Sequence, residues 1–292
     1  MRIFLLLFFA FSFSSPSFAQ AEQKDRTNDF VFNNSLFILY HEIGHLLISE
    51  LDIPVLGREE NVADNFATLE LLKIESDEAN NILIDSANGW FLSSIDQNDD
   101  IVSREAFYSE HSLDVQRAFQ IVCLMVGKDR EVFKQVAVKV GIDELRQESC
   151  YYDYILAQES WEKVLKPHKK SVPSDLNIRA FYDRGTGSIA IRKLLQENKL
   201  LENAMNGVLR EYNFPNKFNL RAKNCGEANA FYDSWVSELL FCYELAEYFD
   251  AIFNEDSLAI KLSDPLKTPQ DIEKNISQPK KKTSDDIKDN DD

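Results

Sequence analysis

The sequence predicts a mainly helical α+β protein whose small β-sheet lies in its C-terminal part. Apolar residues recur at helical spacing through residues 35–167, whereas short, alternating, aromatic-rich segments occur after Pro173. The chain has 292 residues, of which 44% are hydrophobic, so it can bury a substantial core. We therefore predict one domain at 20–262, with a helical part at 35–167 and an α+β part at 174–262. The three tryptophans are predicted core residues: Trp90, Trp161 and Trp235.

The N-terminus has the pattern of a signal peptide. Arg2 precedes an apolar run at residues 3–11, and Ser17 and Ala19 are small residues at the positions that precede a cleavage site. The run is too short to span a bilayer, and residue 20 is Gln rather than the Cys of a lipid-anchored precursor. The pattern predicts a signal peptide at 1–19 and an exported bacterial protein, periplasmic or secreted, with no stable membrane insertion after cleavage.

The helical part is predicted to begin with two neighbouring helices. Ser35 is the predicted N-cap of a helix at 36–51, which Pro54 ends because a proline disfavours helical backbone in the residue before it. A short connection leads to a second helix at about 59–75, so the two helices are expected to pack together. Further helices are predicted at 103–126, 131–140 and 144–165.

The α+β part is predicted to contain four strands, at 178–182, 218–221, 228–232 and 239–243. Residues 189–212 are expected to form one long helix or two short ones. The last strand, 239–243, is predicted to be an edge strand that borders the cleft, where it can pair with an extended peptide. From residue 264 the chain has three prolines and no aromatic residue, so 263–292 is predicted to be a disordered tail.

Charge and missing motifs exclude several classes of function. The chain has 32 Lys and Arg against 49 Asp and Glu, a net charge of −17. Nucleic-acid binding is excluded because affinity for phosphates depends on clustered basic residues. The sequence contains no G-x-S-x-G block and no glycine-rich phosphate loop. Serine hydrolase chemistry and nucleotide binding are therefore not predicted.

The four cysteines are expected to form disulfides, because export leads to an oxidising compartment. Four cysteines allow three pairings. We favour the local one, Cys123 with Cys150 and Cys225 with Cys242, since each pair then lies within one supersecondary unit. No C-x-x-C spacing is present, which argues against a zinc ribbon.

The motif His41-Glu42-Ile43-Gly44-His45 points to metal chemistry. Two histidines four residues apart project from one face of a helix, where neutral imidazoles can bind one zinc ion. Glu42 can then act as general base toward a metal-activated water, whose pKa zinc lowers toward about 7. The alternative is a helix with two surface histidines. The chain has only four histidines, which favours the metal site.

The second helix offers the third ligand. Glu60 is the predicted ligand and Glu59 the fallback. Asp64 lies one turn later, where its carboxylate can accept a hydrogen bond from the far nitrogen of a ligating histidine. The alternative for all three acids is an ordinary solvated helix N-terminus, which the helix dipole favours.

Residues 41–67 resemble the gluzincin type of zinc metallopeptidase, in which an HExxH helix is followed by a helix bearing ExxxD. More closely, HEIGHLLISELDIPVLGREENVADNFA resembles a family of bacterial metallopeptidases marked by an HExGH block, then LPVLGREE, then AD. Segments 110–117, 225–232 and 242–245 are also similar to that family. The resemblance therefore covers most of the chain to about Phe253.

The resemblance implies a zincin-like HExxH helix packed on a second ligand-bearing helix. It also implies zinc bound by His41, His45 and Glu60, with Glu42 as base, and it supplies no substrate. One departure concerns the sheet. Zincins place their substrate-aligning sheet before the HExxH helix, whereas the strand-like segments of this chain follow it.

Peptide hydrolysis also needs a hydrogen-bond donor for the developing oxyanion. His111 and Tyr108 are the candidates, because they lie three residues apart on the predicted helix 103–126 and can face one side. Arg117 lies two turns further on. Packing or capping is the alternative role for His111.

These observations give two hypotheses. The first is an exported zinc metallopeptidase that acts on a peptide or protein substrate and has no nucleic-acid partner. The second is a non-hydrolytic envelope protein, in which zinc joins two helices and the sheet binds a partner. Structural zinc sites usually have four protein ligands, so the three predicted ligands favour an open, catalytic site. The sequence gives no indication of the oligomeric state.

Overall fold

A mainly helical fold with one small sheet is observed in the computed structural model, which describes residues 18–96, 104–171, 179–185, 187 and 189–255. The apolar run at 3–11 and the predicted disordered tail at 263–292 lie outside these residues. In the part of the chain that is described, no helix is both long enough and apolar enough to cross a membrane.

The described residues form ten α-helices. They are α1 Phe18–Glu50, α2 Glu59–Lys73, α3 Asp77–Asp96, α4 Arg104–Tyr108, α5 Asp114–Lys128, α6 Arg130–Lys139, α7 Glu144–Leu165, α8 Ile189–Glu197, α9 Leu200–Val208 and α10 Tyr243–Glu255. The helix predicted at 144–165 agrees with α7, and 189–212 forms two short helices rather than one. Helices α3 and α10 were not predicted. Both pack against α1, and α3 also packs against α5.

Four strands form one sheet in the order β1-β2-β4-β3. They are β1 Arg179–Tyr182, β2 Asn219–Lys223, β3 Ala230–Asp233 and β4 Glu238–Cys242. The β1–β2 and β2–β4 pairs are parallel, and β3 pairs with β4 antiparallel. The prediction that 239–243 is an edge strand was wrong, because β4 lies between two strands: β2 pairs with one side of it and β3 with the other. The edge strands of this sheet are β1 and β3.

Helix α1 begins far before the predicted N-cap. Ser35 lies inside the helix, fully buried, and its Oγ donates to the Val31 carbonyl oxygen at 2.7 Å. Asn34 is also buried, and its Nδ2 donates to the carbonyl oxygens of Phe30 and Asp85. Their short polar side chains suggested a non-helical stretch, since such residues favour caps and turns. Here their hydrogen bonds are satisfied within the helix and against α3.

A partly buried ion pair ties the N-terminal half of α1 to α3. Arg26 Nη1 donates to Asp85 Oδ2 at 3.0 Å, and the Arg26 guanidinium lies 5.5 Å from the centre of the Phe253 ring in α10. Asn33 Nδ2 donates to the same Asp85 oxygen at 2.7 Å. The polar half of α1 is thus held by long-range partners that its own sequence does not reveal.

The helix predicted at 103–126 is interrupted at residues 109–113, between α4 and α5. This segment, which we name the 109–113 loop, is attached to the start of α2. Arg58 Nη1 donates to the His111 carbonyl oxygen at 3.4 Å, and Ser112 Oγ donates to Asn61 Oδ1 at 2.7 Å. The interruption places His111 beside α2 instead of on a continuous helix.

The cysteines form the two favoured pairs. Cys123–Cys150 joins α5 to α7, and Cys225–Cys242 joins the segment before β3 to the end of β4. The tryptophan predictions are correct in part. Trp161 is buried and packs on Phe66, and Trp90 is partly buried. Trp235 is 96% exposed in the turn between β3 and β4, so its assignment to the core was wrong.

Candidate metal centre

Three potential metal ligands converge where α1 packs against α2. His41 Nε2 lies 3.1 Å from His45 Nε2 and 3.1 Å from Glu60 Oε2, and His45 Nε2 lies 3.4 Å from the same carboxylate oxygen. Two ligand atoms bound at about 2.0–2.1 Å in a tetrahedral zinc site are roughly 3.3 Å apart. The three separations therefore fit a single zinc ion, and two imidazoles with one carboxylate are a donor set that zinc accepts.

Both histidine rings are oriented by carboxylates on their far side. His41 Nδ1 lies 2.7 Å from Asp64 Oδ1, and His45 Nδ1 lies 2.8 Å from Glu59 Oε1. These contacts leave the two Nε2 atoms facing each other and Glu60. Glu59, the fallback ligand of the sequence prediction, thus contacts the nitrogen that points away from the cluster. The orienting role of Glu59 was missed because the sequence alone does not show which way the His45 ring turns.

In the metal-free cluster, the pKa values of His41 and Glu60 are shifted far from their ordinary values. Burial disfavours a charge on His41, but the Asp64 carboxylate and hydrogen bonds to Asp64 and Glu60 outweigh it and raise the His41 pKa to about 9. Burial alone would raise the pKa of Glu60, yet hydrogen bonds from His111, His41 and His45 hold it well below its usual range. Glu60 is therefore ionised without a metal, whereas the histidines, whose pKa values are raised, hold protons that a metal must displace.

Glu42 is a buried acid next to this cluster. It is 6% exposed, and its Oε1 lies 4.0 Å from His41 Nε2. Burial raises the pKa of Glu42 above its ordinary value, and the nearby His41 and His45 offset this only in part. A carboxylate with a raised pKa is a better proton acceptor, which is the property that a general base needs.

The sequence profile of one protein family, DUF4344, matches residues 7–165 and 185–276 of this chain. The family's description reads "Putative metallopeptidase". The chain belongs to this family. Its metallopeptidase description implies a metal ion and a peptide or protein substrate, and the His41, His45 and Glu60 group can hold a metal. The comparison with curated proteins found no match, and neither did the comparison with solved structures.

In this metallopeptidase-family chain, the structure brings His111 to the cluster. His111 Nε2 lies 2.9 Å from Glu60 Oε2, and the side chain is 48% exposed, so it borders both the cluster and solvent. Tyr108 is the last residue of α4 and is 69% exposed. The expectation that His111 and Tyr108 share one helical face was wrong, because α4 ends at Tyr108 and His111 lies in the 109–113 loop.

Arg117 contacts Asp64 and not the three candidate ligands. It is 6% exposed on α5, and its guanidinium forms two hydrogen bonds of 2.7 Å with Asp64, one of them to the Oδ1 atom that also contacts His41. The sequence placed Arg117 two turns beyond the oxyanion candidates His111 and Tyr108, and its pairing with Asp64 was not predicted. No local signal marks this pair, because Asp64 and Arg117 are 53 residues apart.

Proposed function

We propose that this protein is an exported zinc-dependent metallopeptidase that hydrolyses peptide bonds. The convergence of His41 Nε2, His45 Nε2 and Glu60 Oε2, with Glu42 buried beside them, is the observation that supports this proposal best. Three protein ligands leave a fourth position open, as catalytic zinc sites require. The signal-peptide pattern and the two disulfides support export.

Each residue of the site has a role in this reaction. Zinc, when bound by His41, His45 and Glu60, supplies Lewis-acid polarisation of the scissile carbonyl and lowers the pKa of water. Glu42 accepts a proton from the attacking water and passes it to the leaving amine, so one carboxyl serves as base and then as acid. His111 donates a hydrogen bond to the developing oxyanion from the solvent-facing side of the cluster.

We assign the border of the substrate cleft to β3 in place of β4. β3 lies at the edge of the sheet, and no strand among the described residues pairs with its outer side. The Tyr232 hydroxyl donates to Glu50, the last residue of α1, which holds β3 against the end of the helix that carries His41 and His45. An edge strand in this position can bind an extended peptide through its main chain.

The first experiment measures metal content and hydrolysis together. We expect elemental analysis of protein purified without a histidine tag to give about one zinc per chain. His41→Ala should lose this zinc, whereas His168→Ala should keep it, because His168 lies on a 3₁₀ turn and is not one of the grouped ligands. Glu42→Gln should keep zinc and no longer cleave a mixed peptide library followed by mass spectrometry. Hydrolysis by Glu42→Gln at the wild-type rate would contradict the assignment of the base.

One observation favours a second candidate, a zinc-stabilised envelope protein without hydrolytic activity. His111 Nε2 lies close enough to Glu60 to become a fourth ligand after a small movement of the 109–113 loop. Four protein ligands would close the site and make the zinc structural. X-ray absorption of the zinc-loaded protein separates the two candidates, because scattering from the imidazole rings reports the number of histidine ligands. Two histidines support the peptidase and three support the structural site.

A further inference from the structure

Asp64 is fixed by more than its contact with His41. Its Oδ1 accepts from both His41 Nδ1 and Arg117 Nη2 at 2.7 Å, and its Oδ2 accepts from Arg117 Nε at 2.7 Å. Both carboxylate oxygens are therefore bound, and rotation about the Cβ–Cγ bond would break the two-point contact with Arg117. Charge-assisted pairs of this forked type are strong and have a defined geometry.

The Arg117 guanidinium is itself held from behind. Its Cζ lies 3.6 Å from the centre of the Trp90 ring on α3, so the planar cation stacks on the aromatic face. A series of contacts thus connects four helices. Trp90 of α3 contacts Arg117 of α5, which binds Asp64 of α2, which in turn binds His41 of α1. Asp64 and Arg117 are both about 5% exposed, which excludes most solvent from this series of contacts.

The second histidine has no comparable support. Its Nδ1 partner, Glu59, has a side chain that is 48% exposed, and no Lys or Arg of the described chain forms an ion pair with it. A carboxylate at the surface with one partner can rotate, whereas Asp64 cannot. The two ligating histidines are therefore held to very different degrees.

We propose that Arg117 is a positioning residue for the metal centre, which acts through Asp64 to fix the ring of His41 with Nε2 directed at the other two ligands. The inference rests on the proposed zinc site but not on peptide hydrolysis. It differs from a purely structural role, in which the buried ion pair only joins α2 to α5. A structural role predicts lower stability in Arg117 variants without a change in how the folded protein binds metal.

The test compares metal binding in folded variants. Arg117→Lys keeps the positive charge but cannot form the two-point contact, and Asp64→Asn removes the carboxylate. Zinc affinity is measured by competition with a chromophoric chelator, and the visible absorption of the cobalt-substituted protein reports the ligand geometry. We expect Arg117→Lys to weaken zinc binding by about 10- to 100-fold and to change the cobalt spectrum. The double variant should bind no more weakly than Asp64→Asn alone, because both changes act on one contact.

The chain offers a matched control. Arg26 also pairs with a buried aspartate, Asp85, and also lies over an aromatic ring, that of Phe253, but it has no contact with the cluster. Arg26→Lys should lower the melting temperature and leave zinc affinity and the cobalt spectrum unchanged. Trp90→Phe reduces the stacking surface and keeps the ion pair, so it provides the test if Arg117→Lys does not fold. We expect it to weaken zinc binding several-fold.

The outcomes separate this inference from the proposed function. Wild-type zinc affinity in folded Arg117→Lys, or in Trp90→Phe if only that variant folds, overturns the positioning role and leaves the metal site intact. Additive losses in the double variant with Asp64→Asn overturn it as well. If the wild-type protein takes up no zinc, both the metal site and the positioning role are wrong.

Discussion

Gly44 of α1 lies directly against Ala63 of α2. A Cβ atom placed on Gly44 would be 3.0 Å from the Ala63 Cα and 3.2 Å from its Cβ. The two helices therefore touch through their backbones at a point inside the HEIGH motif. This close approach allows the short carboxylate arm of Glu60 to reach His41 and His45. The glycine of the motif thus has a geometric role in the ligand cluster.

We predict that Gly44→Ala weakens zinc binding. The added methyl group must separate α1 from α2 by a few tenths of an ångström, which moves Glu60 away from the histidines. In an unconstrained helix the same change would stabilise the protein by roughly 0.5–1 kcal/mol. Zinc affinity and thermal stability are measured together. Gly57→Ala is the control, because no atom lies within 4 Å of its added Cβ. Unchanged zinc affinity in Gly44→Ala would mean that the helix spacing does not determine the site.

The roles of the adjacent acids Glu59 and Glu60 can be separated by matched substitutions. Glu60→Gln replaces a carboxylate, whose Oε2 lies within 3.4 Å of both histidine Nε2 atoms, by a neutral amide that is a much weaker zinc ligand, so we expect a loss of zinc affinity larger than about 100-fold. Glu59→Gln still provides a side-chain oxygen for His45 Nδ1 at the surface, so the loss should be about tenfold or less. Equal losses in the two variants, measured by chelator competition, would contradict this assignment.

His111→Ala tests the proposed oxyanion donor. We expect the zinc content to stay at the wild-type level while kcat falls by about 10²- to 10³-fold with little change in KM, because the donor acts on charge that develops in the transition state. Tyr108→Phe provides the comparison, and its kcat should change much less, since Tyr108 is 69% exposed at the end of α4. Loss of zinc from His111→Ala would instead identify His111 as a ligand.

Zinc binding should depend strongly on pH. In the metal-free protein the His41 pKa is raised from 6.5 to about 9, so this ring is protonated at neutral pH and must release a proton to bind zinc. Apparent zinc affinity should rise by about tenfold per pH unit between pH 6.5 and 9. Asp64→Asn should move this rise to lower pH, because the Asp64 carboxylate is the largest factor that raises the pKa. An affinity that is constant over this interval would contradict the prediction.

The same protonation affects the stability of the metal-free protein. A pKa that is raised in the folded state stabilises the fold below the ordinary value, and this contribution is lost as the pH rises through the raised value. The free energy of unfolding without metal should therefore decrease between pH 6.5 and 9, by at most about 3 kcal/mol from His41. Urea denaturation at several pH values measures it. Saturation with zinc should remove this decrease, because the bound ring is no longer protonated.

The pair of helices that carries the candidate site could be predicted because its signals are local. Helical spacing, the proline after the first helix and the clustered acids all lie within residues 36–75. The start of α1 was not predictable in this way, because Asn34 and Ser35 look like turn residues and are helical only through their buried contacts. Helix α3 and the central position of β4 also depend on partners that are distant in sequence. Arg117 is the clearest case, since its role follows from a contact with α2 that no periodicity in α5 reveals.

The placement of the three proposed ligands within residues 41–60 has a consequence for how the chain folds. The entropy lost on closing a loop increases with its length, so a short helical hairpin can bring these side chains together early. The parallel β1–β2 pair joins Arg179 to Asn219, which are about twice as far apart in the sequence as His41 and Glu60. We therefore expect refolding experiments to show protected amides in the α1–α2 hairpin before they appear in the β1–β2 pair, and zinc to accelerate the first phase rather than the last.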